Sequence, residues 1–303
     1  MASQANQALP EGTRLESYRI VRTLASGGFS FVYLAHDDND APVVIKEYLP
    51  STLALRTEPG APPKIADEDL SRFRYGLKCF FEEGRALAHL SHPNVVRVLN
   101  FFRANDTVYL VMRYERGRSL NEHIKLRRKP PDETWMRATF AQLLNGLREV
   151  HTAKLLHLDI KPANIFLRND GSPLLIDFGA ARQTLSAEGA RLPPTYTPGF
   201  AAPEQYARPG ELGPWTDIYS VGATAYACLA SAAPQPAHQR LAQDLLVPAR
   251  RAWRRAYSEE LLDIIDWCLR LAHLERPQSV FALQKALLGE KRPERHEVRA
   301  GPR

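Results

Sequence analysis

Hydrophobic and polar residues alternate along Tyr18-Arg-Ile-Val-Arg-Thr-Leu, Phe31-Val-Tyr-Leu-Ala and Pro42-Val-Val-Ile-Lys-Glu-Tyr, the period-two signature of strands. Gly27-Gly28 and Asp37-Asp-Asn-Asp punctuate them and predict a meander. From Leu70 to Leu90 the spacing lengthens. Phe73, Leu77, Phe80, Phe81, Leu87 and Leu90 recur near helical period, predicting a long amphipathic helix that ends before Ser91-His92-Pro93. Two more strands are expected around Val95 to Phe102 and Thr107 to Tyr114. Beyond Ser119 helical periodicity takes over, at Leu120 to Leu126, Asp132 to Thr152, Asp217 to Ala232, Ser258 to Leu271 and Val280 to Leu288. Strands first and helices later predict an α+β chain with two unequal lobes. Arg56-Thr-Glu-Pro-Gly-Ala-Pro-Pro-Lys is turn chemistry and reads as an exposed insertion between the third strand and the long helix. Residues 1–13 and the basic stretch 289–303 read as flexible tails, and Ala232 to Gln239 as a loop.

Composition narrows the function classes. The chain has 303 residues, 24% charged and 44% hydrophobic, enough to bury a sizeable core without the signature of disorder. Of its net charge of +6, five Lys/Arg against three Glu in 289–303 account for +2. With no aromatic-interleaved basic stripe, this argues against a nucleic-acid partner. Cys79, Cys228 and Cys268 are too scattered for a disulfide framework or a zinc site, so a reducing compartment is expected. Met1-Ala-Ser-Gln-Ala-Asn-Gln carries no basic-then-apolar leader, and a cytoplasmic location is expected. The apolar run Ile218 to Ala233 is too short for a membrane span and carries Ser220, Thr224 and Ser231, which suits a buried core helix.

The chemistry is concentrated in His157-Leu-Asp-Ile-Lys-Pro-Ala-Asn-Ile-Phe-Leu and Asp177-Phe-Gly. In-line phosphoryl transfer needs a carboxylate to orient the attacking hydroxyl, oxygen ligands for a divalent ion and positive charge where negative charge develops. Asp159, Asn164, Asp177 and Lys161 offer those parts. These segments resemble the catalytic and metal-binding loops of the eukaryotic-like protein kinases, in wording closest to bacterial serine/threonine kinases, and the resemblance runs from about Tyr18 to Leu288. It implies a two-lobed protein kinase fold over 14–288. A small β-rich N-lobe with its αC helix would span 14–114, and the hinge and larger helical C-lobe 115–288. It also implies ATP and Mg²⁺ as cofactors, Asp159 and Lys161 as catalytic residues, Asn164 and Asp177 as metal ligands, and a protein partner with a Ser or Thr acceptor. Oligomeric state is left open.

The nucleotide site follows from the same resemblance. Leu24-Ala-Ser-Gly-Gly-Phe-Ser-Phe-Val-Tyr resembles the kinase glycine-rich loop, with Gly27 the matched central glycine, Gly28 beside it, and Ala25 and Ser30 standing where glycines are usual. Alone, the stretch reads equally well as a plain hairpin turn. Lys46 on an apolar strand calls for an anionic partner, namely phosphates and the αC glutamate. Glu83 is preferred to Glu82 for that glutamate, because Phe80 and Leu87 then share its helix face. The resemblance puts Val32 and Val44 above an adenine ring and Phe166 below it, with Met112 as gatekeeper and Tyr114 in the hinge. Val44 and Phe166 are bulkier than is usual for the family, and either could equally be core packing.

In Thr195-Tyr-Thr-Pro-Gly-Phe-Ala-Ala-Pro-Glu the resemblance is to the end of an activation segment, with Thr197 beside the substrate hydroxyl and Glu204 paired with Arg276. Asp217 would hold the catalytic-loop backbone, or serve as a helix N-cap. His157 and Phe178, with Leu87 and Val98, would form an apolar stack, and His89, His92 and His151 are assigned no functional role. Two other readings share these motifs. A pseudokinase scaffold would explain the altered glycine loop, and a small-molecule phosphotransferase would have no need of the Thr195 to Glu204 segment. Leu158 stands where many kinases carry an arginine that clamps an activation-segment phosphate. Alanine at Ser186 or Thr195 is therefore expected to leave most kinase activity intact. A large loss in a radiolabel assay, restored by an acidic residue at the same position, would refute this.

Overall fold

The computed structural model describes residues 6–178, 196–207 and 211–289. Its first lobe is an antiparallel sheet in the order β1-β2-β3-β4-β6-β5, formed by Arg14–Leu15 (β1), Tyr18–Ser26 (β2), Ser30–His36 (β3), Pro42–Tyr48 (β4), Val98–Ala104 (β5) and Thr107–Arg113 (β6). Helix α1, Leu70–Ala88, packs on the face that carries Lys46, where Tyr48 meets Phe73 and Phe80 with ring centroids 5.5 and 5.6 Å apart. Alternation along β3 and β4 gives each face its job. Val32 and Val44 are half-buried toward the interlobe side, while Phe31, Tyr33, Val43, Ile45 and Glu47 are buried on the other.

That other face is covered by two segments the sequence places in solvent. Arg56 is fully buried and forms a bidentate pair with Glu47, Nη2 to Oε1 at 2.5 Å and Nη1 to Oε2 at 3.0 Å. Tyr33 and Tyr109 each donate a hydroxyl to the same carboxylate at 2.7 Å. Burial disfavours the guanidinium charge, but the hydrogen bonds and charge of Glu47 more than offset it and raise the Arg56 pKa. Residues 6–13 are likewise not a loose tail. Leu9 is buried in the core and its N–H donates to the Tyr33 hydroxyl, and Gln7 N–H donates to the Arg56 carbonyl. Within the insertion Glu58, Pro59, Gly60, Pro62 and Lys64 are exposed, while Arg56 and Pro63 are buried.

A small sheet, Gly117–Ser119 (β7), Ile165–Arg168 (β8) and Pro173–Leu175 (β9), floors the second lobe beneath the first. Around it stand Leu120–Leu126 (α2), Glu133–Thr152 (α3), Pro203–Ala207 (α4), Pro214–Ala230 (α5), Ala237–Ala242 (α6), Ala249–Trp253 (α7), Glu259–Cys268 (α8) and Val280–Leu287 (α9). Local chemistry sets several starts. Ser119 and Glu122 form a reciprocal capping box on α2, and Asp132, Ser258 and Ser279 cap α3, α8 and α9. Helix α5 is buried almost all round and crosses α8 so closely that a Cβ on Gly222 would lie 2.4 Å from that of Cys268. No helix among the described residues is long and apolar enough to cross a membrane. Short elements were not anticipated: β1, the β7–β9 sheet, α4, α7, and α6, which overlaps the expected loop.

Glu204 and Arg276, both buried, join α4 to the segment before α9 with contacts of 2.8 and 3.0 Å. Thr216 Oγ1 donates to Glu204, and the guanidinium also reaches the carbonyls of Arg270, Trp215 and Leu271. Every polar atom lost here strands another. Arg276→Leu is expected to lower unfolding stability by about 3–5 kcal/mol in urea titration, because Glu204 keeps a buried, unpaired charge.

Candidate active site

The catalytic loop between α3 and β8 is shaped by one carboxylate. Asp217, fully buried on α5, accepts from the His157 N–H at 2.9 Å and the Leu158 N–H at 2.7 Å, while His151 Nε2 lies 2.8 Å from its Oδ2. It sits inside the helix, whose N-cap is Gly213, so the capping alternative falls. Leu158 takes φ +63°, a left-handed conformation that costs an L-residue about 1–2 kcal/mol. Its peptide groups are held on both sides. Asp217 takes the N–H, and Gln205 Nε2 donates to the carbonyl at 2.9 Å while Gln205 Oε1 accepts the Ala202 N–H.

This turn presents Asp159 to the cleft. Lys161 Nζ donates to Asp159 Oδ2 and to Thr197 Oγ1, both at 2.7 Å, and the Thr197 hydroxyl donates to Asp159 Oδ1 at 2.8 Å. A hydroxyl thus already occupies hydrogen-bonding distance of the carboxylate, with a cation beside both oxygens. Asn164 Nδ2 donates to the Asp159 carbonyl and Oδ2, each at 2.9 Å. Across the cleft Lys46 Nζ donates to Asp177 Oδ1 at 2.5 Å, joining residues 131 apart in sequence. Lys46 is buried, whereas the Asp177 side chain is 45% exposed and its φ is +61°, an uncommon backbone state that marks a constrained position.

The remaining candidates fall around this pair. Glu83 is buried on the α1 face that carries Phe80 and Leu87, whereas Glu82 is half-buried and pairs with Arg85 at 2.5 Å. Val44 lies opposite Met112 in the β4–β6 register, and Ala25 opposite Val32 in β2–β3. Met112, Tyr114 and Phe166 are each half-buried, Phe166 on β8 opposite Ser119. Gly27 and Gly28 form the tip between β2 and β3, where the Gly27 N–H donates to the Ser30 carbonyl. Neither has positive φ, and a Cβ at either would meet nothing closer than 3.8 Å. The fold itself could carry side chains at these two positions, so their absence leaves room for something else. His157 packs against Phe178 with the rings tilted by 40° and their centroids 4.4 Å apart, and Phe178, Leu87 and Val98 share the buried core. Ser186 and Thr195 lie outside the described residues.

The donor set suits a triphosphate and a hard cation. Asn164 commits its amide nitrogen to Asp159, which turns its amide oxygen away from that carboxylate. Asp177 supplies a solvent-accessible carboxylate, and magnesium takes only one or two such oxygens beside phosphate and water. Sequence reasoning missed His151 and Gln205. Gln205 follows Ala-Pro-Glu directly, so its place in the motif was a usable signal. His151, six residues before His157, offered none.

The cleft between a curled sheet and a helical lobe, with these loops on its two walls, is the architecture of a protein kinase. The chain belongs to that family: the pattern described as protein kinase domain matches residues 18–288. Serine/threonine-protein kinase D of Synechocystis sp. is 32% identical over 222 residues, 69% of this chain and 40% of that protein. PknA of Nostoc sp. is 31% identical over 72% of this chain and 38% of its own length. The kinase pkn3 of Myxococcus xanthus is 29% identical over 94% and 52%. The chain spans about two-fifths to half the length of such relatives. Among solved structures, the apo form of PpkA-294 superimposes with a TM-score of 0.82 at 32% identity, over 93% of this chain and all of that one. These likenesses agree with an α+β, two-lobed kinase of bacterial serine/threonine type.

Burial raises the pKa of Asp217, but the hydrogen bond and charge of His151, with the His157 N–H, outweigh it and hold the carboxyl below its ordinary value. A depressed folded pKa contributes stability that is complete above the unfolded value, about pH 4, and lost as pH falls further. Asp217→Asn is expected to flatten the acid limb of stability against pH below about pH 4. A limb as steep as that of the unmodified protein in acid titration by circular dichroism would contradict this.

Proposed function

We propose that this chain transfers the γ-phosphoryl group of ATP to serine or threonine hydroxyls of proteins, its own chain included. The observation that carries the reading is the Asp159–Lys161–Thr197 triangle, in which a carboxylate oxygen holds a hydroxyl at 2.8 Å while a lysine touches both groups at 2.7 Å. An acceptor hydroxyl placed where the Thr197 hydroxyl now sits would find its proton directed at Asp159 Oδ1. Asp159 orients that hydroxyl and takes its proton. Lys161, on the same side, offsets negative charge developing on the transferred group.

Asn164 and Asp177 would hold magnesium, which supplies charge neutralisation on phosphate oxygens when bound. Lys46 would turn from Asp177 toward the phosphates, with Glu83 behind it. Val32, Val44, Met112 and Phe166 would sandwich the adenine, Tyr114 would contribute its backbone, and Ala25, Gly27 and Gly28 would close over the phosphates. Helix α4 and the non-helical Thr197 stretch before it would wall one side of a peptide, which favours a protein acceptor over a small molecule. Cytoplasmic action suits these substrates.

Radiolabel transfer from ATP to a generic protein acceptor tests the reading. Asp159→Ala and Asp177→Ala are each expected to lose about 10²–10⁴-fold in kcat, the usual worth of a positioned general base or a metal carboxylate. Equal signals from these variants and the unmodified chain would leave a nucleotide-binding scaffold instead.

A further inference from the structure

The glycine turn is not left free at its tip. Beyond the Ser30–Tyr48 pair that ends the β3–β4 ladder, Leu49 N–H donates to the Phe29 carbonyl at 3.0 Å and Ser51 N–H to the Gly28 carbonyl at 2.8 Å. The Ser51 hydroxyl adds a second contact to that carbonyl at 3.2 Å. The strand that carries Lys46 therefore continues past its end as a rail along the turn.

The rail is itself anchored. Leu53 and Ala54 N–H groups both return to the Pro50 carbonyl, closing a turn directly after it. Leu55 and Lys64 exchange backbone hydrogen bonds at 2.9 and 2.8 Å, so 55–64 is a closed loop and not a slack one. Arg56 locks that loop to the sheet, with Nε on the Ala61 carbonyl at 2.8 Å and the fork on Glu47. Glu47 adjoins Lys46 on β4, one facing the covered side and the other the cleft. Asn6 clasps the loop from outside, its Nδ2 donating to the Ala54 carbonyl at 3.0 Å and its Oδ1 accepting the Arg56 N–H at 2.5 Å. A buried charge pair in which each Glu47 carboxylate oxygen accepts two hydrogen bonds resists opening, and its order passes along a few bonded residues to Ser51.

The geometry points to a positioning role for residues 49–64: a brace, latched by Arg56 on Glu47, that holds the Gly27-Gly28 turn at the height needed to meet nucleotide phosphates. This inference rests on the kinase reading above. It also gives a physical counterpart to Ala25 and Ser30, since a turn with only two glycines is steadied from outside. Ser51 and Arg56 are positioning residues here, acting through the turn.

The test is calorimetric titration of the whole chain with ATP and, separately, adenosine, both with magnesium present. Ser51→Pro removes both Ser51 contacts to the Gly28 carbonyl, the N–H at 2.8 Å and the weaker, exposed hydroxyl at 3.2 Å, and leaves the hinge untouched. It is expected to weaken ATP about three- to tenfold, the worth of one net hydrogen bond, with adenosine affinity unchanged. Should that variant fail to fold, Arg56→Lys keeps the charge and loses the fork, and the same selective loss is expected. ATP affinity equal to that of the unmodified chain, or equal losses for ATP and adenosine, would overturn the brace. No ATP binding by the unmodified chain would instead remove the kinase reading on which it stands.

Discussion

The cleft depends on a single buried carboxylate. Asp217 lies inside α5 with no exposure to solvent and gathers two consecutive backbone N–H groups of the catalytic loop. A buried carboxylate without partners would be very costly, so its bonds to His157, Leu158 and His151 are conditions of folding as much as products of it. They keep Leu158 in a backbone state it would otherwise avoid, and the residue after Leu158 is Asp159. The geometry of Asp159 is thus a consequence of helix packing well below the cleft.

The same logic operates in the other lobe with opposite sign. β4 sends Lys46 to the cleft and Glu47 to the covered face because side chains alternate along a strand. Each charge then needs its own partner. Lys46 finds Asp177 from the second lobe, and Glu47 finds Arg56 from the insertion. Two adjacent residues tie the sheet on one side to the catalytic lobe and on the other to a closed loop. The fully buried Glu47–Arg56 pair adds little net stability compared with apolar packing, but it penalises every alternative arrangement that leaves one charge alone.

Much of this was legible in the residues. The alternation of Phe31 to Ala35 and Pro42 to Tyr48 marked strands, and the apolar period from Phe73 to Leu90 marked α1, because one-sided burial imposes a period whatever the partner. Leu120–Leu126 has the bounds its pattern suggested. Residues 6–13 and Arg56 were misread for one reason. Pro, Gly and charged residues usually signal exposure, and nothing local reveals that a guanidinium will meet a carboxylate nine positions away across a sheet face. The β7–β9 strands have three or four residues each, too few to show a period.

The sequence by itself determined the family, since Asp159, Lys161, Asn164 and Asp177 stand in motifs whose residue types and order resemble those of protein kinases. It also determined which helix face Glu83 would share with Phe80 and Leu87. Only the tertiary structure decided that Thr197 would bring its hydroxyl to Asp159, that His151 and Gln205 would hold the loop, and that 49–64 would run beside the glycine turn. Periodicity and motif spacing are properties of neighbours along the chain, whereas these contacts join residues tens of positions apart, and their partners are chosen by packing.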